Sequence, residues 1–340
     1  MAEPPVSKLG QPLLLVRDLV VEFGLDQGTI RAVENVNLDL HAGRVLGIVG
    51  ESGCGKSVTA RAILGILDRP GRVVSGRILL DPGTPKEQDL AALAGDSQAL
   101  RDVRGGRIGL IFQEPMTALS NHYTVGNQII EAVRAHTSIS KALARAKAVK
   151  LLGEVGIPHP EARIDTYPFQ LSGGLRQRVT IALALAGEPD ILIADEPTTA
   201  LDVTTQAQIL ALLRRLQRDK KIALMLITHD MGVIAQMADD VAVMYLGRVV
   251  EVAPVQRLFS APRHPYTRAL LRSVPNIRAT PRERLASIGG AVPHPSRRPA
   301  GCPFHPRCPE IIAGRCAETA PAAVQAGTDG AACFHAEAAA

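Results

Sequence analysis

The chain has 340 residues, too long for one ordinary domain and comfortable for two, and 46% are hydrophobic, enough for a real core. Aromatics are only 3% and Trp is absent, so that core must be built from Leu, Ile, Val and Ala. The net charge of +5 is scattered, with much Arg in 263–315; it suits a solvated surface or an anionic membrane face, and no nucleic-acid partner is expected.

The start, MAEPPVSKLGQPLL, does not read as a signal peptide, and no stretch of about eighteen apolar residues reads as a membrane span. The expectation is a cytosolic protein, or a peripheral one on the cytosolic side of a membrane. Residues 13–50 alternate apolar and polar positions, which predicts short strands separated by turns. GRVLGIVG is the last of them and enters a Gly-rich loop, and KSVTARAILGIL follows at helical spacing. Residues 81–106 read as a polar connection, and RIGLIF (107–112) as a compact strand.

Residues 126–156 read as helical, with Ala144, Ala148, Leu151, Leu152 and Val155 on one face. DILIAD (190–195) and IALMLIT (222–228) are apolar runs of the kind found in parallel strands covered on both faces, with a helix at 206–217 between them. This order is an α/β core. VAVMYLGRVVEVA (241–253) predicts a hairpin around Leu246-Gly247. After about residue 255 the composition shifts to Pro, Arg and Ala, which predicts a separate small appendage with one short helix near TRALLRSV and a disordered AEAAA end.

GESGCGKS (50–57) fits G-x-x-x-x-G-K-[ST] between a predicted strand and a predicted helix, the context that makes it a phosphate loop. Gly50, Gly53 and Gly55 let the backbone around Ser52, Cys54 and Val58 curl its N–H groups toward phosphates. Lys56 is expected to reach the β- and γ-phosphates of ATP, and Ser57 to ligand Mg²⁺. ILIADEP (191–197) ends a strand in two adjacent carboxylates. Asp195 is expected near Mg²⁺, and Glu196 as the base for the attacking water.

LSGGLRQRVTIALALAGEPDILIADEP (171–197) resembles the signature and following strand of ABC-type ATPases. The resemblance implies a P-loop NTPase fold of α/β class, with a RecA-like core and antiparallel β and α-helical subdomains. The nucleotide domain is expected over 1–255, with its helical subdomain at about 113–185. In the same family, Gln113 matches a glutamine that ligands Mg²⁺ and senses the membrane subunit. Thr199-Ala200-Leu201-Asp202 matches the family's D-loop, and His229 matches a switch histidine that holds the γ-phosphate. Ser172, Gly173 and Gly174 open a helix whose N–H groups can bind a γ-phosphate. The family places that phosphate on the ATP of a second subunit, so two subunits sandwich two nucleotides. Phe23 is the candidate aromatic for stacking on adenine, with a core Phe as the alternative.

IFQEPMTALSNHYTVGNQI (111–129), HPYTRALLRSVP and GCPFHPRCP resemble the oligopeptide/dipeptide (nickel) importer group, the last two quite specifically. Ser120-Asn121 departs from the Asn-Pro often found there in the group. The resemblance implies a second, similar ATPase subunit or a second copy, two membrane permeases and an external solute-binding protein. Peptide import is the expected function, with nickel or another peptide-like solute as the alternative. A role in translation or DNA repair is disfavoured, because neither tandem nucleotide domains nor a long coiled-coil insertion is visible.

Cys54 lies in the phosphate loop, and Cys302, Cys308, Cys316 and Cys333 follow in a C-x5-C-x7-C-x16-C pattern within 256–340. The pattern lacks the tight pair usual for structural zinc, and a reducing cytosol disfavours disulfides. Four thiolates meet the ligand count of an iron–sulfur cluster. Cluster, zinc and free thiols all stay open on the residues, with His294, His305 and His335 as possible substitute ligands; the family resemblance implies a [4Fe–4S] cluster.

Overall fold

The computed structural model describes residues 11–26, 28–114, 118–274, 288–325, 327 and 329–337. The AEAAA end expected to be disordered lies largely outside them. Two sheets carry the fold. The first has four strands in the order β2-β1-β4-β5: β1 Pro12–Leu25, β2 Gly28–His41, β4 Gly71–Leu80 and β5 Gln88–Asp89. All its pairings are antiparallel.

The second sheet has seven strands in the order β11-β10-β9-β3-β8-β7-β6. Its centre is parallel: β3 Val45–Val49, β6 Ile108–Ile111, β7 Ile191–Asp195, β8 Ala223–Thr228 and β9 Asp240–Tyr245. β10 Arg248–Pro254 and β11 Gly330–Ala331 close one edge antiparallel.

The central strands are apolar along most of their length, with Asp195, Thr228 and Asp240 only at strand ends, because both faces are covered. Along β8, Leu224 and Leu226 face the helical layer, while Ala223, Met225 and Ile227 face the core shared with the first sheet. β7 divides in the same way, with Leu192 and Ala194 on one side and Ile191 and Ile193 on the other. The period-2 alternation of side chains therefore feeds two cores from one strand.

Several expectations need correction in detail. The first two strands are long, not short, and stay so by absorbing register shifts between Val16 and Glu22. β4 was not foreseen, because Gly76 interrupts GRVVSGRILL. Gly76 has φ +97, and a Cβ there would meet the backbone of Asp18 and Leu19 2.6 Å away. The polar connection of 81–106 contains a helix, Gln98–Val103, capped by the Ser97 hydroxyl on the Leu100 N–H.

The helical run of 126–156 is two helices, Val125–Ala135 and Lys141–Glu154. Thr124 and Ser140 cap them by accepting from Asn127 and Leu143 N–H, so the break at 136–140 is a new N-terminus. The hairpin at Leu246-Gly247 is as expected: both residues have positive φ, +46 and +78, as a two-residue turn of this hand requires.

The segment after 255 is not a detached appendage. β11 pairs with Glu251 and Val252 of β10. Helix Pro265–Arg272 and the 302–308 loop share one core with β9 and β10. Tyr245, Tyr266 and Phe304 form its centre, with ring centroids 4.7 to 5.4 Å apart. Glu251, fully buried, accepts the N–H groups of Arg263 and His264 at 2.7 and 2.9 Å. His264 is 1% exposed, and its Nδ1 accepts from Tyr266 N–H.

Burial, reinforced by the nearby Arg268 charge, pushes the His264 pKa down to about 3. Between that value and 6.5 the unfolded chain binds the extra proton, so stability falls as pH drops through this window, by up to about 1.4 kcal/mol per pH unit. His264→Asn keeps a capping acceptor and removes the titration. Urea unfolding at pH 7.5 and pH 5 is expected to show a smaller loss in this variant than in the wild type. Gly50, where β3 ends, is a second constraint: a Cβ there would collide with the Met244 carbonyl oxygen of β9. Gly50→Ala is expected to destabilise the full chain by about 2 kcal/mol or more in the same assay.

Candidate functional site: a phosphate loop and a carboxylate network

Residues 50–57 link the end of β3 to helix Lys56–Ile63. Gly53 and Gly55 have φ of +77 and +101, so the chain turns sharply and enters the helix with exposed N–H groups. Lys56, 4% exposed, folds back and donates to the carbonyls of Gly50 at 2.8 Å and Glu51 at 3.1 Å. Its ammonium is thus held over the mouth of the loop by the loop's own carbonyls. Ser52 is exposed, Val58 is half-buried, and Cys54 is buried with its thiol pKa raised by that burial. Cys54 O accepts from Gly247 N–H at 2.9 Å, so the β9–β10 turn backs the loop.

The carboxylates predicted at the end of β7 stand beside it. Ser57 Oγ donates to Asp195 Oδ1 at 2.9 Å. Burial raises the Asp195 pKa, the Ser57 bond opposes this, and the neighbouring Glu196 adds to it. Glu196 itself sits at φ +46, an uncommon conformation for a residue with a side chain, and so turns away from the strand direction. Its carboxylate collects three partners from three different loops. Gln113 Nε2 donates to Oε2 at 3.1 Å, Thr199 Oγ1 donates to the same oxygen at 3.0 Å, and His229 Nδ1 lies 3.2 Å from Oε1. Thr199 opens the 199–202 loop; its hydroxyl contact depends on the Glu196 backbone turn and has no local sequence signal.

The remaining predicted residues lie apart from this network. Ser172 occupies the N-cap of helix Gly173–Ala184 but makes no side-chain cap bond, leaving an open helix start. The space beside Gly173 and Gly174 is bounded by Leu201 and Thr205, not by residues 50–58. Asp202 caps helix Val203–Lys220, accepting from Thr205 N–H at 3.0 Å and Thr205 Oγ1 at 2.6 Å. These bonds lower its pKa. Phe23, on β1 between Ile30 and Gly71, is half-buried against the core shared by the two sheets.

Cys302, Cys308, Cys316 and Cys333 are free thiols, Cys316 buried and the other three half-buried. Cys302 N–H donates to Cys316 O at 2.8 Å. Burial, with smaller contributions from the other three thiols, pushes the Cys302 pKa up to about 11; burial raises Cys308 too. Among the described residues, no three His, Cys, Asp or Glu side chains are grouped closely enough to hold a metal ion. Each nearby histidine has one ring nitrogen in a hydrogen bond: His305 Nδ1 at Cys302 O, His335 Nε2 at Glu310 O, and His294 Nδ1 at Ser296 Oγ. Among the described residues, no helix is long and apolar enough to cross a membrane.

Residues 33–199 match the family described as ABC transporter, and residues 250–316 match the oligopeptide/dipeptide transporter C-terminal region. The chain is 48% identical to the dipeptide transport ATP-binding protein DppD of Escherichia coli K12, over 91% of this chain and 92% of that one. It is 49% identical to the protein of the same name from Bacillus subtilis 168, over 88% and 87%. Among solved structures it resembles the ATP-binding cassette MJ0796, a dimer in a post-hydrolysis state bound to ADP and Pi. There the TM-score is 0.62 and the identity 27%, over 71% of this chain and 98% of that one. It also resembles cbiO1 from Clostridium perfringens, part of the transporter complex cbiONQ, with TM-score 0.61 and 28% identity over 74% and 92%. A phosphate loop facing a paired-carboxylate strand end, on this fold and at this identity, places the chain in the family of ATP-binding subunits of ABC transporters, in the group carrying the oligopeptide/dipeptide transporter C-terminal region.

Proposed function

We propose that this chain is the ATP-hydrolysing subunit of an importer of dipeptides or oligopeptides. It works on the cytoplasmic face of the membrane, paired with a second ATPase subunit, against two permeases supplied by an external solute-binding protein. The observation that carries this reading is the gathering of Gln113, Thr199 and His229 on Glu196, beside the Ser57–Asp195 pair. The substrate class follows from the high identity to dipeptide transport proteins along nearly the whole chain.

In this reading the N–H groups of 50–58 cradle the ATP phosphates, and Lys56 exchanges the carbonyls of Gly50 and Glu51 for phosphate oxygens. Ser57, Asp195 and Gln113 offer hard oxygen donors that fit Mg²⁺, which neutralises phosphate charge when bound. Glu196 takes the proton of the attacking water, and His229 holds the Glu196 carboxylate and the γ-phosphate in register. Phe23 stacks on adenine. Ser172, Gly173, Gly174 and Asp202 serve the nucleotide of the paired subunit, in keeping with an open helix start bordered by Leu201 and Thr205. The nucleotide-binding unit is 1–255, and 256–340 is the group-specific extension.

The four tail thiols are proposed as ligands of a [4Fe–4S] cluster. What favours the cluster is the number and chemistry of the donors, four free thiols in one tail.

Glu196→Gln is expected to bind ATP and to hydrolyse it at least about tenfold more slowly in the assembled transporter. Unchanged turnover would remove Glu196 from the role of base. Anaerobic purification is expected to give a brown protein with a broad absorbance band near that of iron–sulfur centres and with bound iron. A folded, colourless, iron-free chain would overturn the cluster assignment.

A further inference from the structure

Glu51, the second residue of the phosphate loop, is out of place by charge. A free carboxylate beside a polyphosphate site repels the ligand that the loop is built to hold. The tail supplies the missing countercharge. Arg307 Nη1 lies 2.8 Å from Glu51 Oε2 and Nη2 lies 3.1 Å from Oε1, a bidentate pair between residues 256 positions apart.

The Arg307 side chain is only 3% exposed. It also donates to the Tyr245 hydroxyl at 3.3 Å and lies over the Tyr245 ring, 5.7 Å from the centroid. The bond to Glu51 holds its pKa well above the usual arginine range. Tyr266, fully buried in the aromatic core, adds a second hold. Its hydroxyl accepts the backbone N–H of Glu51 at 2.9 Å. A third hold runs through the turn behind the loop. Arg298 pairs with Glu34, donates to Arg31 O at 2.9 Å and stands against Gly247, whose N–H bonds to Cys54 O.

We propose that Arg307 and Tyr266 are positioning residues for ATP binding. Arg307 neutralises Glu51, and Tyr266 pins the Glu51 backbone, so that the loop is set for phosphates before ATP arrives. The group-specific tail is thereby part of the nucleotide site, acting through Glu51 and not by touching nucleotide. This rests on reading 50–57 as the ATP phosphate site.

Equilibrium binding of Mg-ATP to the full chain, together with ATP KM and kcat of the assembled transporter, tests it. Tyr266→Phe keeps the ring packing and is expected to weaken ATP binding roughly fivefold, the scale of one hydrogen bond. Arg307→Gln is expected to weaken it roughly tenfold, with KM rising and kcat at saturating ATP within about twofold of wild type. Adding Glu51→Gln to Arg307→Gln removes the uncompensated charge and is expected to recover most of the lost affinity. A brace that serves stability alone would lower the melting temperature without moving KM and without that recovery. Unchanged ATP affinity in folded Tyr266→Phe and Arg307→Gln, or no recovery in the double variant, overturns the proposal. If Arg307→Gln does not fold, Tyr266→Phe still decides. Wild-type ATP binding by Lys56→Ala would instead overturn the reading of 50–57 on which it rests.

Discussion

Parallel hydrogen bonding in the central sheet is the constraint on which the site depends. Val49 pairs with Thr228, Asp195 with Ile227 and Ile111 with Ala194. Strands in that register end at one edge of the sheet, so their following loops emerge side by side. Those loops carry Gly50–Ser57, Glu196–Asp202, His229 and Gln113. The register is held in turn by burial on both faces: a slip of one residue would exchange the helical core for the two-sheet core along each strand.

At the site, backbone conformation governs charge. The adjacent acids Asp195 and Glu196 differ in surroundings because only the second leaves the strand, at φ +46. Asp195 stays buried against Ser57, while Glu196 turns to meet Gln113, Thr199 and His229. The pair thus separates a buried carboxylate bonded to one hydroxyl from a carboxylate that gathers three polar partners.

The tail takes part in the same architecture. Its aromatic residues Tyr266 and Phe304 complete a core with Tyr245 of β9, and its Arg307 passes that core to reach Glu51. Arg307 directly precedes Cys308, so the cysteine loop is the scaffold that sets the guanidinium in place. Glu251, in the middle of β10, holds the backbone of Arg263 and His264 where the tail starts its main helix. The segment is thus anchored at two places, Glu251 and Glu51, by polar bonds whose loss would strand charge in an apolar setting.

Much of this was legible along the chain. The phosphate loop, the apolar strands ending at Asp195 and Thr228, and the turn at Leu246-Gly247 are local patterns, because glycine conformation, strand burial and turn hand act over a few residues. β4 was hidden because Gly76 is needed for close approach to Asp18 and Leu19, a demand visible only once β1 lies beside it. The two helices in 125–154 were merged because Ser140 caps a new start without breaking the apolar spacing. By itself the sequence determined which loop can bind phosphate and which strand supplies the acids, since both are set by near neighbours. Only the tertiary structure decided that Glu196 gathers Gln113, Thr199 and His229, and that Arg307 and Tyr266 close on Glu51. Those contacts join residues up to 256 positions apart, and only the packing of sheet, turn and aromatic core brings them within hydrogen-bond reach.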